Sequence, residues 1–178
     1  MKSLRDLKAF EDVRLEGSYR WQYVNALMRQ TAKDFAYRGV RTRVLGHTEL
    51  FARGVRDTTD VVQKEVYTFV TKGEDSVTLK PEGTAGVVRQ FIEHKEYTDA
   101  QPTRMYYVYC PAFRYERPQA GRLREHHQFG VECFGSPDPM IDGEIINVAW
   151  TLLGRLGVGE LRLHINNIGC PACRPKYN

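Results

Sequence analysis

The chain has 178 residues, of which 42% are hydrophobic and 27% are charged. This composition supplies enough apolar material for a folded domain with its own core, and it excludes a disordered chain. The formal net charge of +4 permits a polyanionic partner, such as RNA or a nucleotide, without requiring one. No apolar run is long enough to cross a bilayer, and the charged N-terminal segment is unlike a signal peptide, so we expect a cytoplasmic protein.

Helix-type and strand-type patterns alternate along the chain. Residues 18–38 begin with a serine and place apolar residues at helical intervals, which predicts a capped amphipathic helix. The other predicted elements are a short helix over 48–55, a hairpin of strands 66–70 and 76–80, a helix over 84–95, paired strands over 104–115 and 127–135, a helix over 139–156 and a final strand over 160–166. This order predicts an α+β fold in which an antiparallel sheet is flanked by the three long helices.

The stretch AFRYERPQAGRLREHHQFGVECFG, residues 112–135, joins two strand-like segments through a basic loop. The guanidinium of Arg114 can bind a carboxylate or phosphate through two hydrogen bonds, and Glu116 faces the same side of the sheet. Gln128 and Glu132 share one face of the second strand, and Arg114 can share that face across the ladder. The pattern predicts a site for an anionic ligand. The alternative is a solvated charged hairpin, because surface ion pairs are common and mostly inert.

Several strings resemble one protein family. FRYERPQAGRLR followed by HQFGVECFG is similar to motif 2 of the class II aminoacyl-tRNA synthetases, in the form found in the histidyl-tRNA synthetase family. TLKPEGTAGVVR resembles that family's histidine-binding segment. HTELFARGVRDTTDVVQKEVYTF, DGEIINVAWTLLGRLG and INNIGCPACRPKY resemble the same family, so the likeness extends from about residue 18 to the last residue. It implies that residues 1–178 are the N-terminal part of a class II catalytic domain with motifs 1 and 2.

The resemblance implies the activity of a histidine–tRNA ligase. Histidine and ATP, which brings Mg²⁺, would form histidyl-adenylate and pyrophosphate, and the histidyl group would then pass to histidine tRNA. The implied catalytic residue is Arg114, bridging the histidine carboxylate and the α-phosphate of ATP. The implied histidine-binding residues are Glu82, Thr84, Arg114, Gln128 and Glu132, and the implied ATP-binding residues are Arg114, Glu116, Arg122 and His126. Within these sets, Glu132 would accept a hydrogen bond from the imidazole, and Glu116 would hold the adenine amino edge.

Some positions depart from the family pattern. Arg43 and Gly46 stand where motif 1 usually has a proline and a glutamate, which leaves a homodimer through motif 1 open. Lys80 replaces an arginine, and His126 replaces an aromatic residue that would stack on adenine. No string resembles motif 3 or the anticodon-binding domain, so we expect a truncated chain of low activity. The alternatives are an inert fragment and a non-catalytic paralogue, such as the histidine-binding regulatory subunit of ATP phosphoribosyltransferase.

The four cysteines and His127 are expected to have structural roles. Cys170 and Cys173 have half of a zinc-type spacing, but Cys110 and Cys133 fall in predicted strands, so we expect thiols and no metal site. His127 lies on the strand face opposite Gln128 and is expected to be structural. The aromatic run MYYVY, residues 105–109, is expected to belong to the core. Adenylate formation needs no protein base, because the attacking carboxylate is already ionised.

Overall fold

The computed structural model describes residues 7–52 and 66–166. Its elements, in chain order, are α1 (Leu15–Asp34), β1 (Arg38–Gly39), β2 (Leu45–His47), α2 (Thr48–Ala52), β3 (Thr68–Val70), β4 (Ser76–Leu79), α3 (Thr84–Glu93), a 3₁₀ helix (Glu96–Thr98), β5 (Thr103–Phe113), β6 (Glu125–Phe134) and α4 (Met140–Arg155). The predicted α+β class is confirmed. None of the helices within the described ranges is long and apolar enough to cross a membrane.

The strands form two three-stranded sheets, with the orders β1-β5-β6 and β2-β4-β3. The pairs β5–β6 and β3–β4 are antiparallel, as predicted, and β4 also pairs antiparallel with β2, a strand that the sequence did not predict. The two-residue strand β1 differs, because it lies parallel to β5 through the pair Arg38 and Met105. No tight turn joins these two strands along the chain, so nothing in their connection imposes an antiparallel direction. The predicted single antiparallel sheet is therefore two small sheets, one of them mixed.

The long hairpin of β5 and β6 contains a bulge. Its register shifts between Tyr107 and Cys110, and Tyr109 has a φ of 54°, in the left-handed region. A bulge adds a residue to one strand and turns its side chain away from the regular alternation. The expectation that the run 105–109 is core is therefore confirmed for Met105 to Tyr107 and is wrong for Tyr109, which is 53% exposed.

The β5–β6 hairpin buries apolar side chains on both faces. On one face, Tyr106 packs with Ala32 and Tyr37 from the region of α1 and with Val148 of α4. On the other face, β5 packs against Val87 of α3. The residues of this second cluster are Val87, Met105, Tyr107 and Cys110, with Val40, Phe91 and Phe134 packed against them. Because α3 covers this second face, the first turn of α3 lies next to the polar residues of β6.

Two local predictions need correction. The first helix begins at Leu15, with Arg14 at the N-cap and no side-chain capping bond, so Ser18 lies inside the helix and does not cap it. The predicted strand over 160–166 does not form, and this segment has neither strand nor helix assigned. Alternating apolar residues make a strand only when a neighbouring backbone supplies hydrogen bonds. The short helix predicted over 48–55 begins at Thr48, as expected, and its last three residues lie outside the described part of the chain.

Candidate active site

The predicted site lies where the link from β4 to α3 meets the end of β5. The backbone N–H of Phe113 donates to the carbonyl of Lys80 over 2.9 Å, and the N–H of Lys80 donates to the carbonyl of Val44 over 2.9 Å. The first of these bonds joins the larger sheet to the smaller one, and the second extends the pairing of β2 with β4. Lys80 itself is only 2% exposed, and its Nζ donates to the hydroxyl of Thr42 over 3.4 Å. The Pro81–Glu82–Gly83 link that follows is thus fixed against the hairpin.

Two hydrogen bonds connect this link and α3 to β6. The N–H of Gly83 donates to Oε1 of Gln128 over 2.8 Å. The hydroxyl of Thr84, the first residue of α3, donates to Oε1 of Glu132 over 2.7 Å. Gln128 and Glu132 are four residues apart on β6 and therefore share a face. The structure thus brings Thr84, Gln128 and Glu132 together, as the sequence analysis expects.

Opposing effects act on the pKa of the Glu132 carboxyl group. Burial raises the pKa of Glu132, the hydrogen bond from Thr84 lowers it, the nearby negative charge of Glu82 raises it, and a hydrogen bond from Tyr107 lowers it; the net pKa is raised. Glu82, which is half-buried, thus lies close enough to Glu132 for its charge to raise the pKa of Glu132. A partly desolvated carboxylate of this kind binds a hydrogen-bond donor more strongly than an exposed one.

Tyr107 is a member of this site that sequence analysis missed. Its ring lies against Gly83 and Gly130, where a methyl group added to either glycine would overlap it. Its hydroxyl is 3.5 Å from the hydroxyl of Thr84, and burial raises the pKa of Tyr107 to about 12. The sequence alone does not reveal that Gly83 and Gly130 make room for the same ring. That follows from the strand register, in which Tyr107 pairs with Gly130.

Arg114 lies just beyond β5, on the same side as the groups above. Ala112 pairs with His126 and Cys110 pairs with Gln128, so Arg114 extends the face that carries Gln128. Its Nε donates to the carbonyl of Pro81 over 2.9 Å. Burial and the positive charge of Arg114 lower the pKa of His126, so that imidazole is neutral at physiological pH. A neutral half-buried ring beside an arginine can stack on a planar base.

Glu116 has cationic partners in the ligand-free chain. It is 7% exposed, and its carboxylate accepts a hydrogen bond from Nε of Arg122, in the loop between β5 and β6. Nη1 of Arg114 is 3.8 Å from the other carboxylate oxygen. Arg124 donates to the Glu116 carbonyl over 3.3 Å, and its guanidinium lies 3.8 Å from the centroid of the Tyr115 ring. The buried Glu116 thus organises the arginines of the hairpin.

His127 lies on the opposite face of β6 from Gln128, as predicted. Its ring stacks on Tyr109 with centroids 4.6 Å apart, and it meets the edge of Trp21 with centroids 4.8 Å apart. It therefore contacts α1 and the bulge of β5 and does not face the groups around Glu132. The structural role expected for His127 fits these contacts.

The described residues offer no protein cage for a metal. Within residues 7–52 and 66–166, no group of three or more His, Cys, Asp or Glu side chains could hold an ion. Cys110 and Cys133 are free thiols on β5 and β6. Cys170 and Cys173 lie outside the described part of the chain.

Solved structures with the same fold define the class of this protein. The structure of apo S. aureus histidyl-tRNA synthetase matches with a TM-score of 0.81 and 34% sequence identity, over 98% of this chain and 40% of that one. A structure described as an ATP phosphoribosyltransferase regulatory subunit/histidyl-tRNA synthetase from Bacillus halodurans matches with a TM-score of 0.75. Its 22% identity, over 88% of this chain and 39% of that one, supports the fold alone. The chain has the fold of a class II aminoacyl-tRNA synthetase catalytic domain.

Sequence comparison identifies the family within that class. The family model described as histidyl-tRNA synthetase matches residues 9–171. The histidine–tRNA ligase of Alkaliphilus oremlandii is 56% identical over 168 residues, which are 94% of this chain and 40% of that protein. The chain belongs to the histidyl-tRNA synthetase family. It spans about two fifths of the length of the curated relatives that it matches.

Proposed function

We propose that this chain forms the histidine-binding side and part of the ATP-binding side of a histidine–tRNA ligase. The observation that supports this most is the pair of hydrogen bonds from Gly83 to Gln128 and from Thr84 to Glu132. They gather the polar residues implied for histidine binding at the N-terminal end of α3. Arg114 is tied to the same segment through the Pro81 carbonyl. The two implied ligand sites are thereby adjacent.

Histidine would be recognised through both of its ends. The carboxylate of Glu132 would accept a hydrogen bond from the imidazole N–H, while Glu82, Thr84 and Gln128 would surround the α-ammonium group. The hydrogen of the Thr84 hydroxyl is committed to Glu132, so its oxygen faces the ammonium as an acceptor. An amino acid without a ring donor would leave the partly buried Glu132 unpaired, which disfavours its binding.

ATP would bind beside Arg114. The adenine amino group would donate to Glu116, the ring would stack on His126, and Arg122 would contact the phosphates. Because Arg122 is paired with Glu116 in the ligand-free chain, adenine would have to displace it. The released guanidinium would then be free to turn toward the phosphates, so base binding and phosphate binding are coupled through one arginine.

The reaction would be an in-line attack at phosphorus. A carboxylate oxygen of histidine forms a bond to the α-phosphorus of ATP, and the bond from that phosphorus to the bridging oxygen breaks, which releases pyrophosphate. Arg114 would stabilise the negative charge that builds on the α-phosphate oxygens, and positioning would supply most of the remaining rate. Mg²⁺ would supply charge neutralisation on the phosphates and would arrive with ATP, since the described residues offer no cage for it.

Transfer to tRNA would follow activation. Histidine tRNA is the proposed acceptor, and a homodimer formed through the motif 1 region is the proposed assembly, in the cytoplasm.

A second candidate is a histidine-binding regulatory subunit. The fold shared with the Bacillus halodurans structure supports it, although that similarity extends to the fold alone. Retention of Arg114 and Glu116 disfavours it, because a subunit that binds only histidine does not need groups that face ATP. The same retention disfavours an inert fragment.

Histidine-dependent exchange of pyrophosphate into ATP tests the proposed function. We expect exchange that requires histidine, with a loss of about 100-fold in Arg114→Ala. Arg117→Ala, an exposed arginine of the same loop, serves as the control and should keep the activity. Histidine binding without any exchange would favour the regulatory subunit, and no histidine binding would indicate an inert fragment.

A further inference from the structure

Tyr107 is held in one position by its neighbours. The residue is 6% exposed, and its ring lies between Gly83, at the start of α3, and Gly130, its partner on β6. Either glycine would overlap the ring if it carried a methyl group. Close packing on both sides removes the freedom that a tyrosine side chain normally has. The ring therefore delivers its hydroxyl to a fixed point beside Thr84.

The direction of the hydrogen bonds at this point follows from the number of hydrogens. The hydroxyl of Thr84 has one hydrogen, and it donates that hydrogen to Glu132 over 2.7 Å. In the 3.5 Å contact between Thr84 and Tyr107, the donor must then be Tyr107. Burial raises the pKa of Tyr107 to about 12, so its hydroxyl keeps its proton at physiological pH. The single hydrogen of the Tyr107 hydroxyl is thus shared between Thr84 and the carboxylate of Glu132, whose pKa a hydrogen bond from Tyr107 lowers.

We infer that Tyr107 is a positioning residue for the specificity carboxylate: its fixed hydroxyl orients Thr84 and keeps Glu132 placed and ionised as an acceptor for the ligand. Nothing in the resemblance assigns this role to Tyr107. The identity of the ligand as histidine rests on the proposed function, whereas the effect of Tyr107 on Glu132 does not.

The electrostatics around Glu132 agree with this role. The groups that face its carboxylate are Glu82 from the link before α3, Thr84 from α3 and Tyr107 from β5. Burial and the charge of Glu82 raise the pKa of Glu132, and the two hydroxyls lower it. Without the Tyr107 hydroxyl, Glu132 would take up a proton at a higher pH. A protonated Glu132 would offer the ring N–H only a neutral carbonyl oxygen, which is a weaker acceptor than the carboxylate.

The first experiment measures Glu132 directly, without any ligand. The side-chain carboxyl carbon of Glu132 is titrated by NMR in the unaltered chain, in Tyr107→Phe and in Tyr106→Phe. Tyr107→Phe keeps the ring between the two glycines and removes only the hydroxyl. Tyr106→Phe removes a buried hydroxyl from the same strand on the opposite face, beside Ala32 and Val148. We expect the pKa of Glu132 to rise in Tyr107→Phe and to stay unchanged in Tyr106→Phe.

The second experiment measures L-histidine binding by calorimetry in the same three proteins. We expect the affinity to fall about 3- to 10-fold at pH 7 in Tyr107→Phe, which is the loss of one neutral hydrogen bond, and to fall further at lower pH. ATP affinity should not change. An unchanged Glu132 titration in Tyr107→Phe overturns the inference even if histidine binds. A raised Glu132 pKa in a chain that binds no histidine supports the role of Tyr107 and contradicts the proposed function, so the two failures are distinguishable.

Discussion

The guanidinium of Arg122 donates to the carboxylate of Glu116 across the loop that joins β5 to β6. Glu116 is 7% exposed, whereas the side chain of Arg122 is 55% exposed. The carboxylate is therefore fixed within the fold and the arginine is the movable partner. Since the proposed function assigns Glu116 to adenine, the loop arginine and the base compete for one carboxylate.

The first prediction separates this competition from phosphate binding. Arg122→Met should raise adenosine affinity by about 2- to 5-fold, because a partly exposed ion pair worth up to about 1 kcal/mol no longer occupies Glu116. The same change should lower ATP affinity, because the phosphate contact is lost. Calorimetry with both ligands measures the two effects, and Arg117→Met is the matched loop control. Adenosine binding that weakens in Arg122→Met would show that Glu116 and adenine do not meet.

Sequence patterns predicted the parts of this fold that depend on local periodicity. The helices at Leu15–Asp34, Thr84–Glu93 and Met140–Arg155 and the β5–β6 hairpin follow from the spacing of apolar residues. The face shared by Gln128 and Glu132 follows from the two-residue repeat of a strand. Both the periodicity of apolar residues and the two-residue repeat depend only on residues close together in the sequence, so both could be predicted.

The features that composition and spacing did not predict depend on contacts between distant segments. The segment 160–166 alternates like a strand but has none assigned, and Tyr109 leaves the core through a bulge that no local pattern announces. The direct bond from Thr84 to Glu132 joins residues 48 positions apart. The place of Tyr107 between two glycines likewise depends on register. Pairing of this kind is set by the tertiary structure, so composition and spacing do not predict it.

The second prediction concerns the space around the Tyr107 ring. Gly130→Ala should lower the free energy of unfolding by about 1–3 kcal/mol, because the new methyl group overlaps the ring and forces it to move. Gly143→Ala is the matched control within α4, where nothing lies within 4 Å of an added methyl group. It should raise stability by about 0.5–1 kcal/mol, through helix propensity. Urea unfolding of both variants measures the difference, and equal effects would contradict the packing described for Tyr107.

The third prediction concerns an ion pair that ties α4 to β5. Nε and Nη2 of Arg104 donate to the two carboxylate oxygens of Glu144 over 2.9 and 3.1 Å, and Tyr37 donates to the same carboxylate over 3.0 Å. The hydrogen bond from Arg104 lowers the pKa of Glu144. Glu144→Gln should therefore cost about 1 kcal/mol of stability at pH 7.

The sign of the pH dependence follows from that lowered pKa. The stabilisation by Glu144 is complete above its unfolded pKa, about 4.3, and is lost as the pH falls through the lower folded value. The difference in unfolding free energy between the unaltered chain and Glu144→Gln should thus stay constant from pH 7 to about 5 and shrink below that. The double variant Arg104→Met/Glu144→Gln should lose less unfolding free energy than the two single variants lose in sum. Strict additivity would exclude the ion pair.

The fourth prediction concerns Glu132, for which the dependence of stability on pH is opposite to that of Glu144. Burial raises the pKa of Glu132 in the folded chain, so the charged carboxylate opposes folding. The protonated carboxyl group therefore contributes to stability below the pKa of the unfolded chain. This contribution is lost as the pH rises through the raised pKa of the folded chain. Glu132→Gln should therefore raise the melting temperature by about 1–2 °C at pH 7 and have little effect near pH 4. Glu125→Gln, on the opposite face of β6, is the control and should not stabilise. A lower melting temperature for Glu132→Gln at pH 7 would contradict the described environment.

Whether this chain binds histidine through Glu132 is measured by calorimetric titration of L-histidine and of ATP into the chain and into Glu132→Ala. We expect the unaltered chain to bind histidine and Glu132→Ala to bind it about 10-fold or more weakly, through the loss of a hydrogen bond to a charged group. ATP affinity should change less than about 2-fold, and Glu125→Ala should leave both ligands unaffected. An unaltered chain that binds no histidine, or a Glu132→Ala variant that loses both ligands equally, would contradict the assignment of this site.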